Sequence, residues 1–229
     1  HHTAIGGCPP IARALGLGGS SAFAVAILRA VDHAYDLKLS DGRINELPFE
    51  CEKPAHGTPS GIDNTVATYG TPLLYQRNQD QDQQQAKFRN VNLGQSLELV
   101  IGVTGKESLT ADTVARVRAS WQQYPDRYDS IFDQIGQLTE LGHDALQEGR
   151  LAELGELMNL CHGYLNALQL STPELEELVH IARKHGAIGA KLTGGGGGGS
   201  MIALCPDASG AVQQAFESAG YKALPITLG

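Results

Sequence analysis

Six consecutive glycines, Gly194–Gly199, stand between two apolar segments, Ala187–Leu192 and Ser200–Leu204. Ordering glycine costs more backbone entropy than ordering any other residue. A packed domain therefore tolerates such a run only where the backbone itself must come close to a ligand or another loop. The alternative is a flexible linker, but linkers ordinarily have polar flanks, and here both flanks are apolar. The run thus predicts strand, glycine loop, strand.

The rest of the chain mixes helical and extended patterns, which makes the class α+β. Helical spacing covers Ser20 to Ala34, where Phe23, Ile27, Ala30 and Val31 recur at three- and four-residue steps. Helices are also expected over Thr110–Ser120, Ser130–His143, Leu151–Leu168 and Gly210–Ala219. Another opens at Thr172-Pro173-Glu174, with proline and acid in its first turn, and ends near His185-Gly186. Strands are expected at Leu73–Gln76, Leu97–Val103, Ser200–Leu204 and Ala223–Leu228. Pro48–Gly70 reads as structured loops, with a short helix starting near Asp63. Asn78–Gln85 is wholly polar and reads as a solvated hairpin tip or mobile loop. A domain boundary falls between that loop and the strand at Leu97, giving domains 1–96 and 97–229.

Composition excludes several functions. A net charge of -8 argues against a general nucleic-acid or membrane-surface binder, since both need clustered Lys and Arg. No apolar run reaches the roughly 18 residues of a membrane span, and no segment reads as a signal peptide. Four cysteines without CxxC spacing read as reduced thiols, so a cytoplasmic location is expected. His1-His2 read equally as native residues or as the tail of a tag.

Two further segments carry chemistry. Leu15–Ala22, LGLGGSSA, precedes a helix. Its glycines let N–H groups approach an anion, the helix start adds positive potential, and a serine hydroxyl can ligate a Mg²⁺ that bridges phosphates. A tight turn with Ser20 as N-cap explains the same residues, and no Gly-Lys-[Ser/Thr] follows, so it is not a Walker A loop. Glu52–Asn64, EKPAHGTPSGIDN, offers two carboxylates and a histidine. Phosphoryl transfer needs a metal ligand and a group that orients or deprotonates a hydroxyl, roles that Glu52 and Asp63 could divide. An ordinary surface loop with solvated acids is the competing reading.

Together and in this order, LGLGGSSA, EKPAHGTPSGIDNTVATYG and KLTGGGGGGSMIAL resemble the mevalonate kinase branch of the GHMP kinases. They resemble the family's GLGSSAA, HG[N/T]PSG[I/V]DN and KLTGAGGGG motifs. The middle segment is the most specific to that branch. The resemblance implies a two-domain fold: an N-terminal domain like the second domain of ribosomal protein S5, here partial, and a ferredoxin-like C-terminal domain. It implies an enzyme that phosphorylates (R)-mevalonate with ATP and Mg²⁺, giving 5-phosphomevalonate for isoprenoid synthesis.

By position, Gly16, Leu17, Gly18, Gly19, Ser20 and Ser21, with Gly194, Gly195, Gly196 and Gly197, would bind ATP. Ser20 and Glu52 would hold Mg²⁺, with Ser21 falling on a family alanine. Asp63 would be the base toward the mevalonate C5 hydroxyl, and His56 and Thr68 would line the substrate pocket. The partner is then a small molecule, not nucleic acid or membrane, and a homodimer is left open.

The chain departs from the family at three points. The first motif, a strand and turn that bring a catalytic lysine, is not among these 229 residues. Ala14-Leu15 read as an insertion before the first glycine loop, and Gly195 replaces a usual alanine. The absent motif keeps alternatives in view: a non-catalytic nucleotide- or partner-binding module, or a GHMP kinase for another hydroxylated metabolite.

Overall fold

The computed structural model describes residues 19–56, 61–76, 87–106 and 110–229. They fall into two compact units that divide at Val91 and Asn92, shortly before the strand at Leu97.

The first unit holds helices α1 (Gly19–Tyr35), α2 (Asp41–His56) and α3 (Ile62–Tyr69), followed by strands β1 (Leu73–Gln76) and β2 (Lys87–Asn90). The two strands pair antiparallel, with Leu73 opposite Asn90 and Gln76 opposite Lys87. The polar segment between them, with the rest of 77–86, lies outside the described residues. Helix α1 forms where the spacing predicts it, and Ser21 and Val25 face inward. Its Phe23, Ile27 and Val31 stripe is 50%, 46% and 38% exposed, so the apolar periodicity does not mark this unit's interior.

Helix α2 corrects the expectation of loops from Pro48 onward. The helix runs through Pro48 and Pro54 to His56. Proline inside a helix removes a backbone hydrogen bond, which is why the sequence reads as irregular. Here Ile44 and Pro48 are fully buried one turn apart, and that burial outweighs the lost bond. Arg29 joins the three helices. Its Nη2 donates to Asp41 Oδ1 at 3.1 Å and to the Thr68 carbonyl at 2.7 Å.

The second unit contains β3 (Leu97–Val103), α4 (Thr110–Gln123), α5 (Pro125–Gln147), α6 (Leu151–Ala167), α7 (Pro173–Lys184), β4 (Gly189–Leu192), β5 (Ser200–Leu204), α8 (Ser209–Ser218) and β6 (Lys222–Leu228). The sheet order is β4-β5-β3-β6, antiparallel throughout. Two split β-α-β units interleave in this order, which is the ferredoxin-like arrangement the resemblance implies.

Strand alternation gives the sheet two apolar faces. Val100, Ala190, Leu192, Met201 and Ala203 pack with Leu175, Leu178, Val179 and Ala182 of α7 and with Val212 and Phe216 of α8. Leu97, Leu99 and Leu204 pack on the other side with Ala145 of α5 and with Leu154 and Leu157 of α6. Helix α7 starts as its sequence predicts. Thr172 Oγ1 accepts from Leu175 N, and Pro173 follows at the first helical position. Strand β4 lies at a sheet edge, and α6 comes close to it because Gly155 has no side chain. A Cβ there would lie 2.7 Å from the Ile188 carbonyl oxygen. No helix among the described residues is long and apolar enough to cross a membrane.

Candidate active site

The chemistry-bearing residues of the first unit sit at helix ends. Gly19, Ser20 and Ser21 form the first turn of α1, where the helix dipole places positive potential. Ser20 is exposed and Ser21 fully buried. Ser20 is thus the more accessible of the two, as a metal ligand would need to be, while Ser21 occupies a position suited to a small interior residue. Gly16, Leu17 and Gly18 lie outside the described residues. Glu52 and His56 stand one helical turn apart near the end of α2, rather than in the expected loop. Their side chains lie outside the described residues.

Helix α3 carries Asp63, an exposed residue, in its first turn. Gly61 precedes the helix with φ of +80°, a conformation that favours glycine. Phe49 and the Tyr75 hydroxyl crowd the place where a Cβ would stand. A polar network locks this turn to α2. Asn64 Nδ2 donates to Asn45 Oδ1 at 2.5 Å and to the Asn45 carbonyl at 3.0 Å. Thr65 Oγ1 donates to the Gly61 carbonyl at 2.6 Å. Asn45, Asn64 and Thr65 thus fix the turn that bears Asp63. Sequence reasoning missed Asn45, because nothing in its own segment marks it.

Asp63 and Thr68 do not share a face of α3. Thr68 lies with Asn64 and Thr65 on the buried side, and five residues at about 100° each separate it widely from Asp63. The Thr68 hydroxyl is buried without a hydrogen-bond partner among the described residues.

In the second unit, the glycine run is a built loop and not a linker. Gly194, Gly196, Gly197, Gly198 and Gly199 all have positive φ, between +70° and +134°. Gly195 is the one glycine of the six without a positive φ. It is also the one that stands where the family pattern has alanine, so that family alanine needs no glycine conformation.

Neighbours hold the loop at both ends. Thr193 N donates to the Ser200 carbonyl at 3.1 Å, and Gly197 N donates to the Leu170 carbonyl at 2.8 Å. Thr104 donates to the Gly199 carbonyl twice, from its N at 2.9 Å and from Oγ1 at 2.8 Å. Gly199 N donates to the Lys106 carbonyl at 3.0 Å. Lys106 in turn pairs with Glu174 in the first turn of α7. The hydrogen bond from Lys106 holds the Glu174 carboxyl down at about 2. The N–H groups of Gly197 and Gly199 are thus committed within the fold, and these two glycines shape the loop.

The two ends of the chain match two halves of one family. Residues 8–71 match the family described as GHMP kinases N terminal domain, and residues 143–222 match GHMP kinases C terminal. The chain belongs to the GHMP kinases. Within them, it is 40% identical over 210 residues to the mevalonate kinase of Pyrococcus abyssi, covering 90% of this chain and 60% of that protein. A crystal structure of the mevalonate kinase of L. major in complex with R-mevalonate superposes with a TM-score of 0.84 at 35% identity. That match covers 92% of this GHMP kinase chain and 65% of the other. The Methanococcus jannaschii mevalonate kinase structure gives a TM-score of 0.73 at 26% identity, covering 92% and 63% of the two chains. This GHMP kinase chain spans about 60% of the length of the curated relatives it matches.

Proposed function

We propose that the chain carries the phosphoryl-transfer residues of an ATP-dependent mevalonate kinase. The observation that carries the reading is Asp63, exposed in the first turn of a helix that Asn45, Asn64 and Thr65 pin in place. A carboxylate held this way can accept the hydrogen bond of an alcohol and take its proton as the oxygen attacks the γ-phosphoryl group of ATP. The backbone of Gly16, Leu17, Gly18, Gly19, Ser20 and Ser21 and the loop Gly194–Gly197 would hold the phosphates, with Gly197 acting through loop shape. His56 and Thr68 would line the substrate pocket; Thr68 has a hydroxyl without a partner among the described residues, but it stands on a different face of α3 from Asp63, so its part would be the more indirect one.

The donor set also fits Mg²⁺, since an exposed serine hydroxyl and a glutamate are hard oxygen ligands. Ser20 and Glu52 would hold the ion, which when bound neutralises phosphate charge. Residues 1–96 and 97–229 are read as the two GHMP domains, the enzyme as cytoplasmic, and its acceptor as a small alcohol.

The deciding measurement is mevalonate-dependent ADP formation by the 229-residue chain with Mg-ATP, beside Asp63→Ala. Loss of about 10²- to 10⁴-fold in the variant is the expected result. Equal rates would remove Asp63 from the chemistry. Nucleotide binding without any turnover would favour the non-catalytic module.

A further inference from the structure

Strand β4 ends at the mouth of the glycine loop, and its outer edge is bonded to side chains rather than to another strand. Ala190 N donates to Asn159 Oδ1 at 3.0 Å, and Asn159 Nδ2 donates to the Ile188 carbonyl at 3.1 Å. One turn further along α6, Leu192 N donates to His162 Nδ1 at 3.3 Å. Leu192 stands two residues before Gly194. His162 Nε2 lies 3.0 Å from Glu176 Oε1 of α7.

These contacts fix the tautomer. A backbone N–H can only donate, so Nδ1 must present its lone pair. The ring proton is then on Nε2, which donates to Glu176. His162 is almost completely buried. The charged groups facing it are Glu176 and Arg183 of α7 and Lys191 of β4; on its own helix Cys161 is the adjacent titratable group.

We propose that His162 is a positioning residue for the glycine loop, its neutral ring clamping the last residues of β4 to α6 and α7. Adding a proton to Nδ1 would set two donors face to face and release Leu192 N–H. Burial lowers the proton affinity of the ring below the ordinary histidine value, with Arg183 and Lys191 acting the same way and Glu176 opposing. The clamp is therefore closed above about pH 6.5 and opens as pH falls through the lowered value. Its consequence for phosphate binding rests on the kinase reading above; its consequence for loop geometry does not.

The test follows the His162 ring nitrogens and the Leu192 and Gly194–Gly199 amides by NMR from about pH 8 to about pH 5, with Mg-ATP affinity measured alongside. The expected result is an Nε2–H tautomer at high pH and loop amides that shift with the midpoint of the ring. Affinity should fall about tenfold across the transition. His162→Asn, whose side-chain oxygen can stand near the Nδ1 position, should hold the closed loop at every pH. His162→Gln, which keeps only the contact to Glu176, should show the open loop at every pH.

Loop amides that ignore the ring titration overturn the proposal. So does the parent pH dependence surviving in His162→Asn. The parent titration alone decides the matter if a variant fails to fold. A loop transition that follows the ring in a chain that binds no Mg-ATP supports the positioning role and overturns the kinase reading.

Discussion

Single residues in the glycine loop are not equivalent. Gly196 has φ of +70°, and a Cβ on it would press into the Leu170 carbonyl, to which the neighbouring Gly197 also donates. Gly196→Ala is expected to cost about 2 kcal/mol or more, from both backbone strain and the clash. Gly195→Ala, at the loop position without a positive φ, is expected to stay within about 1 kcal/mol. Urea denaturation of the two variants checks the contrast, and equal losses would refute it. A second residue-scale lesson concerns Asp63. Its type and neighbours mark it as a candidate in the sequence. Its placement depends on Asn45, which is nineteen residues from Asn64 and has no motif of its own.

At the scale of elements, two features were illegible for different reasons. Helix α2 is hidden by Pro48 and Pro54, because local propensity argues against a helix that burial of Ile44 and Pro48 sustains. The protection of β4 is hidden because it is made by side chains of another element. An open strand edge invites pairing with other chains. Here Asn159, His162 and Arg183 occupy the edge, Arg183 donating from Nη2 to the Ala190 carbonyl at 2.9 Å. Asn159→Ala would leave Ala190 N and Ile188 O without their side-chain partner. The expected loss is about 1–2 kcal/mol, with faster amide exchange confined to β4. Exchange at Ala190 and Leu192 measured in the parent and the variant tests this, and unchanged protection would rule out the edge role.

At the scale of the whole molecule, apolar burial is unevenly shared. Both large apolar clusters lie between residues 97 and 216 or in side chains packed against them, within the second unit. Among described residues, the first unit buries Val25, Ile44, Pro48 and Val91, together with polar Ser21, Asn64, Thr65 and Thr68. It also exposes the Phe23, Ile27 and Val31 stripe. Polar burial contributes less than apolar burial, so the first unit should open at lower urea than the second. Amide exchange of α1–α3 should therefore be complete before that of β3 and β5. A single transition shared by both units would contradict this. The exposed stripe should also bind a hydrophobic dye under native conditions, and Ile27→Lys should weaken that binding.

The amino-acid sequence by itself determined the elements that rest on local rules. These are the helix at Ser20, the capped start of α7, the strand–glycine–strand unit and the chemical types of Ser20, Glu52 and Asp63. Caps, periodicity and glycine conformation act over a few residues, so they are visible along the chain. Only the tertiary structure decided which residues hold those elements in place. Asn45 beneath α3, Thr104 and Leu170 against the glycine loop, and Asn159 and His162 along β4 act across long separations. The physical reason is the same in each case. A buried backbone or side-chain polar group must find a partner wherever the fold brings one, and no local pattern announces where that partner lies.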